Sequence, residues 1–167
     1  LGETYAGVFK LIEMFLSMMR SYLSVFFSVS FPRFCNIFSE NKNQSILFLR
    51  KINFIHMILL TIGLIVFSLS LPYLYNFLKL DSALIIALKT CTPLVFVPLI
   101  IAFATPFYQV LIVNDQQKKL AILSIIGAVL TLLLVPITVN FFRIYGILLS
   151  IYVVELMIAA GMIFLVI

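Results

Sequence analysis

Five stretches of about twenty or more mostly apolar residues follow one another along the chain, separated by short polar clusters. Runs of that length match the roughly 20 residues a helix needs to cross about 30 Å of hydrocarbon. Their boundaries predict spans at about 5–31, 52–71, 83–113, 120–139 and 144–167. Pro32 is expected to stop the first helix, because proline lacks an amide proton and biases the residue before it away from helix. The polar stretch from Pro32 to Lys51, containing Ile37, Phe38, Ile46 and Leu47, reads as a connection with a short interfacial helix. Pro72 marks the outer end of the second span, and Asp81 or Ser82 is a plausible cap for the third. The third span holds Pro93, Pro98 and Pro106, so it is expected to bend beside a cavity or hinge, or to kink only for packing. The fourth is expected to bend or end near Pro136. No alternating strand pattern and no internal repeat breaks this series. The predicted class is all-α, a polytopic membrane bundle of five transmembrane helices.

The first span departs from the pattern. At 100° per residue, Lys10, Glu13, Ser17, Arg20, Ser21, Ser24 and Ser28 fall within an arc of roughly 100°, and the remaining surface is almost wholly apolar. Lys10 to Ser28 covers about 27 Å of helix, so the polar line crosses most of the membrane. An Arg, Lys or Asp at the centre of a membrane helix costs roughly 2.5–3.5 kcal/mol on insertion scales. Such a face must therefore turn toward protein or water. Lys10 and Glu13 are spaced to pair. Arg20 lies too far from Glu13 and needs another helix, water or an anionic ligand. Alternatively, Lys10 and Arg20 snorkel to opposite interfaces, which leaves the serines of their stripe unexplained. Glu155 is the second intramembrane charge, about 16 Å into the fifth span. Its own helix face is apolar, so its carboxylate is either paired across helices, with a cation of the first span as a natural partner, or held neutral for proton coupling.

Composition confirms the class and limits the chemistry. Of 167 residues, 64% are hydrophobic and 10% charged, too apolar for a soluble domain of this size. The net charge of +5 is scattered at the ends of apolar runs, which argues against nucleic acid binding and for topological charges. Arg33, Lys42, Arg50 and Lys51 between the first two spans, and Lys118 and Lys119 before the fourth, are expected on one side; Lys79, Lys89 and Arg143 are expected on the other. By the positive-inside rule the first group is cytoplasmic. Because the chain opens without a methionine and closes in an apolar run, it reads as a piece of a longer protein. Cys35 and Cys91 are expected on opposite sides as free thiols. His56 is the only histidine, so no metal-ligand spacing exists. No nucleophile–base set, glycine-rich phosphate loop or carboxylate pair suggests an enzyme, and no cofactor is expected.

Several stretches, in order, carry a resemblance: GETYAGVFKLIEM opening a helix that closes on FPRF, LRK leading into the second span, TPLVFVPLIIAFATPFYQVLIVNDQQKK, LLLVPITVNFFRIYG, and VVEL in the last helix. In this order the chain resembles the C-terminal part of the bacterial O-antigen (polysaccharide) transporters, within the multidrug/oligosaccharidyl-lipid/polysaccharide exporter superfamily. The resemblance implies a twelve-helix, two-bundle transporter of the bacterial inner membrane, of which these would be the last five helices. It implies movement of an undecaprenyl-pyrophosphate-linked oligosaccharide between leaflets. It implies that Lys10 and Arg20 hold the diphosphate in a cavity and that Glu155 matches an acidic residue of the last helix; from the polar line itself, Ser17 and Ser24 are candidate cavity residues, and Glu13, like Glu155, a candidate for coupling or ion pairing. Implied partners are the lipid-linked oligosaccharide, membrane lipids and other polysaccharide assembly proteins. Two alternatives stand beside it, a multidrug cation exporter of the same superfamily and a non-transporting membrane scaffold subunit.

Overall fold

The computed structural model describes residues 3–77 and 82–166, and every element among them is helical. In order these are α1 (Glu3–Glu40), α2 (Lys42–Phe77), α3 (Ser82–Cys91), a 3-10 segment (Thr92–Phe96), α4 (Val97–Val113), α5 (Gln117–Phe142) and α6 (Ile144–Val166). Five of the helical stretches are long and apolar enough to cross a membrane: Glu13–Glu40, Lys42–Tyr73, Thr92–Val113, Gln117–Phe142 and Ile144–Val166. The described residues thus form an all-helical structure with the five long apolar helices expected of a multi-pass membrane protein. Many large apolar side chains, such as Val29, Leu69, Leu132 and Phe164, lie on the outer surface, as a bundle bathed in acyl chains requires.

Two helical hairpins form most of the bundle. In the first, α1 and α2 reverse at a single residue. The amide of Asn41 donates to the Ile37 carbonyl, closing α1, while its own carbonyl accepts from Ser45, opening α2. The Asn41 side-chain Oδ1 accepts from the amides of Asn43 (3.0 Å) and Gln44 (3.2 Å), an N-cap worth about 1 kcal/mol. Pairing then proceeds in step along both helices: Arg33 lies over the Phe48 ring, Phe26 stacks on His56, and Phe15 stacks on Phe67.

This arrangement corrects two expectations. Pro32 does not end the first helix, which continues to Glu40. A proline removes one backbone hydrogen bond and introduces a clash, and packing beyond it offsets that cost. Phe34 is fully buried and touches Phe38, and Arg33 and Lys42 sit over the rings of Phe48 and Phe38. For the same reason the expected interfacial helix between residues 32 and 51 is absorbed into the ends of α1 and α2. The second helix likewise runs through Pro72 to Phe77; the expected cap at Asp81 lies outside the described residues.

The second hairpin, α5 and α6, turns at Arg143, whose φ of 54° lies in the left-handed region. Small residues let its backbones approach, as in membrane helix pairs generally. A Cβ at Gly146 would run into the Thr138 carbonyl oxygen. Thr138 Oγ1 joins Ser150 Oγ (2.7 Å) and donates to the Gly146 carbonyl (2.9 Å), tying the two helices beside the turn. Pro136 is carried inside α5, which continues to Phe142.

Between the hairpins stand α3 and α4. The expected single irregular helix over 83–113 is instead broken. Pro93 lies in the 3-10 segment, Pro98 in the first turn of α4 and Pro106 inside it. The Tyr152 hydroxyl of α6 donates to the carbonyl of Pro93, satisfying a backbone group in the break. Leu94 and Val97 join Leu16, Ile144 and Leu148 in one buried cluster near this end. Toward the other end, Gln109 Nε2 donates to Ser30 Oγ at 3.0 Å in a buried contact between α4 and α1. Asn114 and Asp115, the latter at φ 56°, then form the tight turn into α5. The α1–α2 turn and the α4–α5 turn therefore lie at the same end of the bundle, which gathers Arg33, Lys42, Arg50, Lys51, Lys118 and Lys119.

Candidate functional site

A cavity of about 450 Å³ is walled by α1, α4 and α6, and Arg20, Ser24, Thr105, Tyr108 and Glu155 supply its polar lining. Each wall contributes for its own reason. From α1, Arg20 and Ser24 are four residues apart and share one face. In α4, Pro106 cannot donate to the carbonyl four residues earlier. Its neighbour Thr105 turns its hydroxyl onto the Ile101 carbonyl at 2.9 Å. From α6, Glu155 stands among Ile158, Ala159 and Met162 on the cavity wall.

Arg20 and Glu155 form the site's charged centre. Nη2 of Arg20 lies 3.4 Å from Oε1 of Glu155, with the arginine side chain 58% exposed and the carboxylate 20% exposed. This is a long contact beside the usual 2.7–2.9 Å of a charge-assisted hydrogen bond. It is the only ion pair Arg20 makes among the described residues, so most of the five guanidinium donors remain available to the cavity. Of the two arrangements open to Glu155, the cross-helix pair is the one found.

The polar line of α1 divides into three parts. Lys10 and Glu13 pair with each other at 2.8 Å, with side chains 71% and 59% exposed, and neither lines the cavity. Ser17 also stands outside it; its carbonyl accepts the Ser21 hydroxyl at 3.0 Å. Ser28 spends its hydroxyl on the Val25 carbonyl at 2.8 Å. Of the six residues expected at the site, the fold brings together Arg20, Ser24 and Glu155, and leaves Lys10, Glu13 and Ser17 on a separate exposed stretch of α1.

Thr105 and Tyr108 were not singled out as site residues from the sequence. The signal for them is the cluster of Thr105, Tyr108 and Gln109 around Pro106 on an otherwise apolar helix. Tyr108 also packs edge-on against Phe27, with ring centroids 5.5 Å apart, which fixes the phenol at the end of the cavity. His56 lies elsewhere, buried against Phe26 at 3.9 Å between centroids, with Nδ1 3.5 Å from the Tyr22 hydroxyl. It is a packed residue of the α1–α2 interface. No cluster of three or more potential metal ligands occurs among the described residues, and Cys35 is a free thiol.

The cavity can hold an anion by charge-assisted hydrogen bonds from Arg20, with hydroxyls of Ser24 and Tyr108 within its lining. A search of protein-family models, curated proteins and solved structures finds no match to this chain.

Proposed function

We propose that the chain is the C-terminal part of a lipid-linked oligosaccharide flippase. In this reading it forms the last five helices of a twelve-helix transporter in the bacterial inner membrane, acting by alternating access. The cargo is an undecaprenyl-pyrophosphate-linked repeat unit, and the cation-rich end of the bundle faces the cytoplasm. One observation carries the proposal: an arginine inside a membrane helix, more than half exposed, faces a cavity and is only loosely engaged by its one carboxylate.

Size narrows the assignment. Small-molecule sites commonly occupy about 300–1,000 Å³, so 450 Å³ suits the diphosphate and an adjoining sugar rather than an entire repeat unit. Charge favours an anion over the drug cation of a multidrug exporter, because Arg20 is the exposed member of the pair and Glu155 the covered one. Glu155 holds the guanidinium in place between transport steps and yields it to the stronger, doubly charged diphosphate.

In the full-length protein, Arg20→Ala is expected to abolish surface polysaccharide while leaving the amount of protein in the membrane unchanged. Normal polysaccharide in cells carrying that variant would remove Arg20, and the cavity with it, from the mechanism.

A further inference from the structure

A second, larger groove of about 910 Å³ runs between α2 and α4 and reaches the end of α6 at Val166. It is separate from the Arg20 cavity and shares no lining residue with it. Along its α2 wall, Arg50 and Lys51 follow Ile46, Leu47 and Leu49 and precede Phe54 and Met57; Phe103, Phe107 and Val110 form the facing apolar wall. No carboxylate lines it. We propose that this groove binds an anionic phospholipid of the surrounding leaflet, its headgroup phosphate on Arg50 and Lys51 and an acyl chain against the phenylalanines.

From Arg50 inward, the order of residues along the groove matches the order of groups along a lipid. Arg50 and Lys51 immediately precede the apolar run 52–71, about 30 Å of helix, which places the two cations at headgroup level. From Arg50 to Met57, and antiparallel to it from Val110 to Phe103, the groove deepens by about 10 Å into the hydrocarbon. Phe54 and Phe103 are among the exposed large apolar residues, so the slot opens sideways to the bilayer. Two adjacent cations with no acid beside them have an uncompensated charge that a zwitterionic lipid meets less well. Basic pockets of this kind at a membrane interface attract anionic headgroups. A protein helix in the same slot would bury both cations and would need to bring its own carboxylates.

These 167 residues contain no tryptophan; in a background where any tryptophan elsewhere in the protein is replaced, Phe54→Trp places a single emitter in the groove. Its quenching is measured with the full chain in nanodiscs containing brominated phosphatidylglycerol or brominated phosphatidylcholine. Phosphatidylglycerol is expected to be enriched at this tryptophan by about fivefold per cation. The preference is expected to disappear when Arg50→Gln and Lys51→Gln are combined, and to survive Arg50→Lys. A Leu132→Trp reporter on the outer face of α5 is expected to report no preference. Equal quenching of Phe54→Trp by the two lipids would overturn the proposal, as would a preference that persists without the cations. Absence of quenching by either lipid would mean that protein covers the groove. Displacement of phosphatidylglycerol by a trace mole fraction of undecaprenyl phosphate would instead assign the groove to a polyprenyl lipid. Neither outcome depends on whether the Arg20 cavity transports anything.

Discussion

Arg20 and Glu155 join α1 to α6 across 135 positions of sequence. If their pair served only to hold the helices together, exchanging the charges would preserve its worth. Interhelical polar contacts in membranes contribute on the order of 0.6 kcal/mol each, so neither single substitution is expected to unfold the protein. The charge exchange, Arg20→Glu with Glu155→Arg, is expected to restore thermal stability to within error of the parent protein in detergent. It is also expected to leave transport absent, because the exposed position on α1 would then be an anion. Recovery of transport by the exchange would reduce the pair to a structural strut. At this scale the sequence was informative about Arg20, whose distance from Glu13 along the helix demanded a partner elsewhere. It was silent about which serines face the cavity. Ser17 and Ser24 lie within the same helical arc, yet only Ser24 reaches the space between α4 and α6. Where neighbouring helices cross α1 is a tertiary property, and it decides between residues that periodicity treats alike.

Among the elements, the two hairpins rest on different devices. The α1–α2 pair is joined by aromatic stacking and one capping asparagine, and the α5–α6 pair by close backbone approach. Gly146 allows that approach, since any side chain there would run into the Thr138 carbonyl. Gly146→Ala is expected to destabilise the protein by about 1–3 kcal/mol, the usual range for overpacking. Gly63 in α2 has nothing within 4 Å of an added Cβ, and Gly63→Ala is expected to be neutral or to stabilise by roughly 0.5–1 kcal/mol. Thermal unfolding of both variants in detergent checks the pair, and equal effects would refute the distinction. Helix number and order were legible in the chain because five apolar runs leave little choice. Helix ends were less so. Pro32, Pro72 and Pro136 each suggested a boundary, and all three lie inside helices. A single missing hydrogen bond is outweighed when residues beyond it pack, as Arg33 does over the Phe48 ring of α2. In the third span the helix does break, at the 3-10 segment containing Pro93. Pro98 then falls in the first turn of α4, where a missing amide costs nothing, and Pro106 is carried inside it.

For the molecule as a whole, the fold supplies two candidate sites of different character. One is a cavity among α1, α4 and α6 with an arginine on its wall; the other is a largely apolar groove between α2 and α4 with Arg50 and Lys51 in its lining. The six cations gathered at one end of the bundle agree with the loop-charge argument that placed them together. The central claim is that the Arg20 cavity is hydrated and selects anions. Its most direct test is thiol chemistry at Ser24→Cys, in a background where Cys35→Ala and Cys91→Ala remove the native thiols. Rates of modification are compared for two methanethiosulfonate reagents of similar size, one anionic and one cationic. The anionic reagent is expected to react faster at Ser24→Cys, and Arg20→Gln is expected to erase that advantage. Faster reaction with the cationic reagent would point to a cation exporter. A thiol that reacts with neither would make this face of α1 a helix–helix interface and contradict the account.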